Sequence, residues 1–285
     1  MSKEYSKGNA NKETLADRMK RYEAITTETC LIENLPIYAR VDMRAGHSWC
    51  RGLKKPFDND YVEAMQYATK YVVEKTGALF GYTQSDEASF AWKDSTKIPF
   101  ETRLFKLQSV IASMFTGAFI SACLKNSLKS RIDDERIPSF DCRVMNMPSY
   151  DEVANMVLWR ERDSVKNSIT LLALEYFSTN ELNRVTGDQK IQWLKEKKNV
   201  DYFSLPVHLR CGSYFRRETF LKELTDEELA VIPKKNWPNI VSPNGKPAVV
   251  RSRIVPFFTE KTLSDLSNKA EALLFGEAPV YKEQS

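Results

Sequence analysis

The chain has 285 residues, a formal net charge of +4, 42% hydrophobic residues and 28% charged residues. These proportions are typical of a globular protein with its own core, and they exclude a low-complexity or collagen-like chain. The five cysteines are widely spaced and form no CxxC pair, which favours a reducing, cytoplasmic setting. We recognise no apolar run of membrane-spanning length and no signal peptide in the polar start MSKEYSKGNANKE, so we expect no membrane partner.

The first elements are a polar leader, a helix and a strand. Residues 1–12 are polar and predict a disordered segment. A helix is expected from about residue 13, because apolar residues recur there at helical spacing: Leu15, Met19, Tyr22 and Ile25. The stretch PIYARVD alternates apolar and polar residues, which predicts a strand that ends at Asp42.

The next elements complete a recognisable order. Asn59 caps a predicted helix that Gly77 stops, and GYTQSDEASFAW is typical of a strand hairpin. A long helix over about 100–128 and a strand over 140–147 follow. The order after the first helix is β-α-β-β-α-β, the split ferredoxin-like arrangement of an α+β protein.

The second half is expected to be mainly helical. Helices are predicted near 150–177 and 179–197, and the last third contains most of the Pro and Gly residues. We therefore predict a catalytic domain over 13–150, followed by a helical and C-terminal region over 151–285 that completes the catalytic unit.

Acidic residues end two strands that should be neighbours. Asp42 closes the first strand, and Asp86 and Glu87 lie at the turn of the hairpin. Carboxylates that converge in this way repel one another unless they are protonated or bind cations, and oxygen ligands of this kind suit Mg²⁺. A pair of Mg²⁺ ions at such an edge supports phosphoryl transfer. Adjacent acids at a turn can also be merely solvated, and Glu87 can be the ion-pair partner of an arginine.

Five segments together resemble one family. ARVDMRAGHSW, LKKPFD, GYTQSDEASFAW, RLFKLQSVIASMF and FDCRVMNMPS are similar, in order and separation, to the motifs of the tRNA-His guanylyltransferase superfamily. These are the 3′-to-5′ polymerases, which add nucleotides to the 5′ end of tRNA. The likeness covers about residues 15–217. It implies a polymerase palm, a nucleotidyltransferase with two Mg²⁺ ions, GTP and ATP as substrates, tRNA as partner, and a homotetramer built as a dimer of dimers.

The resemblance also assigns catalytic roles. Asp42, Asp86 and Glu87 become the catalytic acids. The metal ligands are Asp42, Asp86 and the backbone carbonyl of Met43. The family usually has glycine at the position of Met43, so this ligand depends on the local backbone torsion.

Eight residues match positions that bind nucleotide in the family, four of them in the loop after Asp42. They are Arg44, Ala45, Gly46, His47, Lys55, Ser85, Arg103 and Lys106. The loop departs from the usual family sequence, which leaves nucleotide selectivity open. His47, Lys55 and Ser85 can alternatively be surface residues, and Arg103 and Lys106 can be one charged face of a helix.

Four residues match positions that contact tRNA, and these are Asn167, Arg210, Arg216 and Arg217. Arg143 matches a family arginine whose role can be structural, and no role is assigned to His208. Val165 and Ser168 replace a histidine and an asparagine of the tRNA-His enzymes. These departures resemble the guanylyltransferase-like branch, and they favour template-dependent repair of tRNA 5′ ends over guanylylation of tRNA-His.

Two other functions stay open at this stage. The same topology serves nucleotide cyclases and diguanylate synthases, and it can persist in a catalytically silent RNA-binding protein. Intact Asp42 and Asp86 argue against a silent protein.

Overall fold

A computed structural model gives the arrangement of most of the chain. It describes residues 14–94, 98, 102–133, 135–258, 260 and 262–282. The predicted disordered leader at 1–12 lies outside the described residues.

The first half has the predicted order of helices and strands. Its elements are α1 (Leu15–Thr27), β1 (Ile37–Met43), α2 (Gly46–Trp49), α3 (Asn59–Thr76), β2 (Phe80–Gln84), β3 (Glu87–Trp92), α4 (Leu104–Cys123) and β4 (Phe140–Asn146). Asp58, one residue before the predicted cap, caps α3 by accepting a hydrogen bond from Tyr61 N, and Gly77 ends the helix with φ 70°. The β-α-β-β-α-β order and the α+β fold class are confirmed.

The second half adds both helices and strands. Its elements are α5 (Tyr150–Leu174), α6 (Gly187–Lys198), α7 (Val207–Cys211), β5 (Ser213–Glu223), α8 (Asp226–Val231), β6 (Ile240–Val241) and β7 (Ala248–Phe257). The helices over 150–177 and 179–197 are present, with a shorter second helix than expected. The three strands were not predicted.

The seven strands of the described residues form one antiparallel sheet. Their order is β4-β1-β3-β2-β5-β7-β6, so the four palm strands lie at one end and the added strands continue from β2. β5 pairs with β2 through Thr83 opposite Ser213. The two predicted regions therefore share a sheet, while the division of the chain at residue 150 stays a prediction.

The added strands lack the alternation that identifies a strand in a sequence. Most of β5 is exposed on both faces, and only its first residues, Ser213 to Phe215, are buried. A strand with water on both sides does not have to place apolar residues at every second position. Arg216 and Arg217, which the resemblance assigns to tRNA contact, therefore lie in a strand that the sequence did not predict.

Strand alternation directs the side chains of β1 to two different cores. Ala39 and Val41 pack in the cluster that includes α3 and α4. Tyr38 packs on the opposite face with α5, and Arg40 and Asp42 share that face because successive side chains of a strand alternate. Helices α3 and α4 thus cover one face of the sheet at β1, and α5 covers the other face.

Helix α4 has the length and apolar character of a membrane span, which the sequence analysis did not recognise. One such helix is weak evidence for a membrane. Leu107, Ile111, Phe115 and Phe119 are fully buried, and they lie in the same core cluster as β1 and α3. One face of α4 therefore packs in the protein core.

A buried carboxylate anchors the C-terminal segment to α5. Glu161 is fully buried and accepts four hydrogen bonds: from Tyr214 Oη at 2.7 Å, Leu263 N at 2.8 Å, Ser264 N at 2.9 Å and Ser264 Oγ at 2.8 Å. A buried carboxylate is stable only with such partners. Glu161 therefore fixes the turn at Leu263–Asp265 on the face of α5.

Candidate active site

The end of β1 and the β2–β3 turn meet at one edge of the sheet. Asp42 lies directly opposite Glu87 on β3 and Asp141 on β4. Met43 N donates a hydrogen bond to Asp86 O at 2.9 Å, which joins the two segments. Met43 lies within β1 and its side chain is buried, so its strand conformation does not require the glycine that the family usually has.

Gly46 leaves room for the Asp86 carboxylate. A Cβ added to Gly46 would overlap Asp86 Oδ2 and lie 2.8 Å from Asp86 Cγ. Gly46 is buried at the start of α2, and the preceding Ala45 has a left-handed φ of 54°. The loop after β1 therefore lies directly against the second aspartate, and glycine is required there for close approach.

Negative charges are concentrated around Asp42. Its pKa is raised above the usual range, mainly by burial and next by the negative charges of Asp86, Glu87 and Asp141, whereas Arg40 opposes the rise. A carboxyl group in this state gains from a nearby cation. This electrostatic environment favours a metal ion at Asp42 and Asp86.

Glu87 has a different environment from its neighbour in the sequence. Its buried carboxylate accepts a hydrogen bond from Arg160 Nε at 2.6 Å, and Arg160 Nη2 also lies 2.9 Å from Asp163 Oδ2. The geometry therefore supports the interpretation of Glu87 as the ion-pair partner of an arginine. Arg160 thus holds this carboxylate in place opposite Asp42, and the catalytic role of Glu87 stays a prediction.

A cavity of about 520 Å³ opens beside Asp86. Its walls come from α2 and the segment after it, the start of α3, the β2–β3 turn, α5 and α7. Six of the predicted site residues line it: Gly46, His47, Lys55, Ser85, Asp86 and Asn167. The cavity thus brings together basic, amide and hydroxyl groups next to one of the two aspartates.

The donor set is compatible with Mg²⁺ that is completed by substrate. Within the described ranges, no group of three or more His, Cys, Asp or Glu side chains is placed to hold a metal ion. Mg²⁺ commonly uses one or two protein carboxylates and takes water and substrate phosphates as its other ligands. Asp42 and Asp86, with the carbonyl of Met43, fit that pattern.

Two residues of the loop after Asp42 adjoin this site. Arg44 is exposed, and its N–H donates to Ser139 O at 2.8 Å. Ala45 accepts from the N–H groups of Ser48 and Trp49. Both residues immediately precede the cavity wall at Gly46, and their contact with a nucleotide stays a prediction.

Arg103 and Lys106 lie far from the aspartates. Arg103 precedes α4, whose first N–H, from Leu104, donates to Thr29 O. Phe115 and Phe119 pack on Phe140, with ring centroids 4.8 Å and 5.3 Å apart. At 1.5 Å per residue, roughly 18 to 24 Å of helix separates Arg103 from these contacts, and roughly 14 to 20 Å separates Lys106 from them. Since Phe140 is opposite Met43, the structure does not bring this basic pair to the cavity of the same chain.

The three arginines proposed for tRNA lie in separate places. Arg210 Nε donates to Leu205 O at 3.0 Å. The guanidinium of Arg216 lies over the Phe257 ring at 5.0 Å, whereas that of Arg217 donates to Glu74 O and Ser252 Oγ. Neighbouring residues of β5 point to opposite faces, so Arg216 and Arg217 do not form one surface.

The cavity includes residues that the sequence analysis did not assign. His208 lines its wall, and burial lowers the pKa of its imidazole. Ser168, at the departure from the family motif, contacts Tyr202 Oη at 2.8 Å and Arg210 O at 3.0 Å. No local spacing signals these residues, because α5 and α7 meet only in the tertiary structure.

Four of the five cysteine thiols are poorly suited to a nucleophilic role. Cys50 lines the cavity, but burial raises its pKa to about 11. Burial also raises the pKa values of Cys123, Cys142 and Cys211 to about 12. These groups stay protonated at neutral pH, and a thiol is a poor nucleophile in that form.

A palm sheet with two strand-end aspartates beside a polar cavity defines a palm-type nucleotidyltransferase. A family model described as tRNA-His guanylyltransferase (Thg1) matches residues 16–148. A solved bacterial tRNA(His) guanylyltransferase (Thg1)-like protein in complex with ATP is 34% identical, with a TM-score of 0.64 over 72% of this chain and 87% of that chain. The chain belongs to the tRNA-His guanylyltransferase family, and it is an enzyme.

Other relatives agree with this assignment. A bacterial Thg1-like protein in complex with GTP is 28% identical, with a TM-score of 0.62 over 91% of this chain and 97% of that chain. A probable tRNA(His) guanylyltransferase of Dictyostelium discoideum is 28% identical over 235 residues, which are 73% of this chain and 90% of the relative. The likeness to these proteins therefore extends beyond the palm region.

Proposed function

We propose that this protein adds nucleotides, notably G, to the 5′ end of tRNA in the 3′-to-5′ direction, with GTP and ATP as substrates and two Mg²⁺ ions. The observation that carries the proposal is the convergence of Asp42 and Asp86 at the edge of a palm sheet, next to a cavity that contains Lys55 and His47. The solved relatives bound to ATP and GTP support the choice of nucleotides.

The two aspartates and the carbonyl of Met43 would hold the metal ions. When bound, Mg²⁺ supplies positive charge to the phosphate oxygens during displacement at phosphorus. Asp42 must be ionised for this role, and its raised pKa means that metal binding competes with a proton. Gly46 keeps the Asp86 carboxylate in place because it adds no side chain there.

The remaining residues of the cavity would position the reactants. Lys55, His47 and the N–H groups around Gly46 are suited to phosphate oxygens, and Ser85 and Asn167 can contact the nucleotide or the RNA. The Glu87–Arg160 pair would fix the start of β3 against α5, which holds the neighbouring Asp86 in position. In-line displacement depends mostly on such positioning and on charge.

The decisive experiment supplies Mg²⁺, labelled GTP and a tRNA that lacks its 5′-terminal nucleotide. We expect the label to enter the RNA at its 5′ end, and incorporation that follows the opposing base would support the template-dependent repair that Val165 and Ser168 favour. Incorporation of G opposite any base would instead indicate the tRNA-His activity. GTP turnover without RNA would identify a cyclase, and tRNA binding without turnover would identify a silent RNA-binding protein.

We also propose a homotetramer in the cytoplasm. Helix α1 supports assembly, because Leu15, Met19 and Tyr22 are 65%, 42% and 66% exposed and recur along one helix face. An apolar stripe of this kind favours contact with another surface. A subunit partner could also bring Arg103 and Lys106 to a neighbouring cavity. Mass measurement in solution tests the assembly, and a monomer would contradict it.

A further inference from the structure

A tryptophan beside the catalytic edge is exposed to solvent. Trp159 on α5 is 53% exposed. The guanidinium carbons of Arg160 and Arg40 lie 4.5 Å and 6.0 Å from the centroid of its ring. Cation–π contacts thus orient the ring without burying it. An oriented and accessible aromatic ring is suited to stacking.

The ring borders an open corner of the sheet. Arg40 lies opposite Arg143 on the edge strand β4, and Asp42 lies opposite Asp141. Their side chains lie on the same face of the sheet as Tyr38, which packs against α5. The side chains of Arg143 and Asp141 are each 57% exposed, so α5 leaves this corner uncovered next to Asp42.

The arginines at this corner differ in how strongly they are already paired with carboxylates. Arg160 is paired with both Glu87 and Asp163. Arg143 Nε lies 3.8 Å from Asp141 Oδ1, and because both side chains are exposed, that pair contributes little. Its guanidinium is therefore available for a stronger partner.

Arg40 is the second cation at this corner. In the part of the chain that the structure describes, its buried Nε has no hydrogen-bond partner. Its guanidinium lies beside the Trp159 ring instead. Arg40 therefore lies beside the open ring of Trp159, two residues before Asp42, and Arg143 lies opposite Arg40 on the neighbouring strand.

The corner and the cavity lie on opposite sides of the aspartates. In the sheet order β4-β1-β3-β2, Arg143 lies at the β4 side of Asp42, and Trp159 lies next to Arg40 of β1. The cavity with Lys55 adjoins Asp86 at the β2–β3 turn and is lined by Thr83 of β2. Two substrates can therefore reach the aspartates from two sides.

We propose that Trp159, Arg40 and Arg143 form a binding site for the 5′-terminal nucleotide of the RNA, with its base on Trp159 and its phosphates near the two arginines. This inference rests on the proposed function. A base–aromatic stack accepts any base, and guanidinium groups form strong hydrogen bonds with phosphate. The chemistry therefore suits an RNA end of variable sequence and places it beside Asp42, while the cavity holds the incoming nucleotide.

The test measures binding separately from catalysis. A short fluorescent RNA with a 5′-phosphate is titrated with the full-length protein at fixed salt and Mg²⁺, and GTP binding is measured by calorimetry. We expect Trp159→Ala to weaken RNA binding about tenfold, the effect of one lost base stack, with unchanged GTP binding. Trp159→Tyr should retain most of the affinity. Arg143→Gln should reduce the dependence of RNA binding on salt.

Trp237→Ala is the matched control, because Trp237 is also exposed, at 49%, but lies between α8 and β6. It should leave RNA binding unchanged. Unchanged RNA binding in Trp159→Ala would overturn the inference, as would an equal loss of GTP binding or a change in oligomeric mass, which would indicate a protein contact. If the wild type binds this RNA through Trp159 but never extends tRNA, the proposed function fails and the stacking site stands. If the wild type extends tRNA and Trp159→Ala extends it equally well, the stacking site fails and the proposed function stands.

Discussion

The carboxylates at the catalytic edge of the sheet and those in the interior beneath α5 differ in how their negative charge is compensated. At the edge, Asp42 is surrounded by other acids and its pKa is raised. In the interior, Glu87 is paired with Arg160 and Glu161 accepts four hydrogen bonds. The interior acids are satisfied by the protein itself, whereas the edge acids are suited to a ligand that the chain does not supply. An acidic side chain is therefore not by itself a sign of function. An acidic side chain whose negative charge the protein does not compensate is such a sign.

The largest expected effect is on activity at the edge. Asp86→Asn should lower the rate of nucleotide addition on the order of 10³-fold, because it removes a metal ligand that acts in the transition state. The fold should persist, since the change removes a negative charge near Asp42. Single-turnover rates measure the effect, with exposed Glu277→Gln as the control. A rate within threefold of wild type would contradict the role of Asp86.

The interior acid should instead affect stability. Glu87→Gln leaves the buried Arg160 without its nearest carboxylate, and it should lower the free energy of unfolding by about 3 kcal/mol. Urea unfolding measures the loss. Asp163→Asn is the matched control, because Asp163 bonds the same arginine but is 39% exposed; it should cost about 1 kcal/mol or less. Equal costs for the two variants would remove the distinction between the two regions.

A glycine substitution tests the geometry of the edge. Gly46→Ala should displace the Asp86 carboxylate and lower activity on the order of 10²-fold, an effect expected from a small misplacement of a catalytic group. Gly117→Ala is its control, because a Cβ there meets nothing within 4 Å and alanine favours a helix. Activity assays and thermal unfolding of both variants give the comparison. Full activity in Gly46→Ala would show that Asp86 can move without cost.

The smallest effect concerns pH. Because the folded pKa of Asp42 lies above its ordinary value of 3.8, the folded protein binds this proton more tightly than the unfolded chain. The contribution of Asp42 to stability is therefore lost as pH rises from that value through the raised pKa.

Metal binding has the opposite dependence on pH. Mg²⁺ needs the ionised carboxylate, so its affinity should fall by up to about tenfold per pH unit below the raised pKa. Calorimetric titration with Mg²⁺ from acidic to neutral pH, across the raised pKa of Asp42, tests this. Asp141→Asn removes a nearby negative charge and should shift the profile to lower pH by roughly half a unit or less. A shift to higher pH would contradict the electrostatic account of Asp42.

Much of the palm could be predicted because its signals are local. PIYARVD has one buried and one partly polar face, so its period of two is visible. The segment after Asn59 has a cap, an apolar stripe and a glycine stop, so a helix was expected there. The boundaries of α4 were less accurate, because apolar residues on several faces obscure where such a helix begins and ends.

The strands of the second half could not be predicted for a physical reason. Residues of β5 beyond Phe215 are exposed on both faces, so no alternation distinguishes them from a charged loop. The same limit applies to His208 and Ser168. They line the cavity only because α5 and α7 pack together, and nothing in their neighbouring residues indicates it.

The sequence by itself determined the order of the palm elements, the position of Asp42 at a strand end and the motifs that resemble one family. It assigned both adjacent acids, Asp86 and Glu87, to catalysis and left an arginine ion pair open for Glu87. Only the tertiary structure shows how their environments differ, because the turn directs Asp86 toward Gly46 while β3 directs Glu87 toward α5. Local periodicity is encoded in neighbouring residues, but charge compensation depends on side chains such as Arg160, which lies 73 positions away from Glu87.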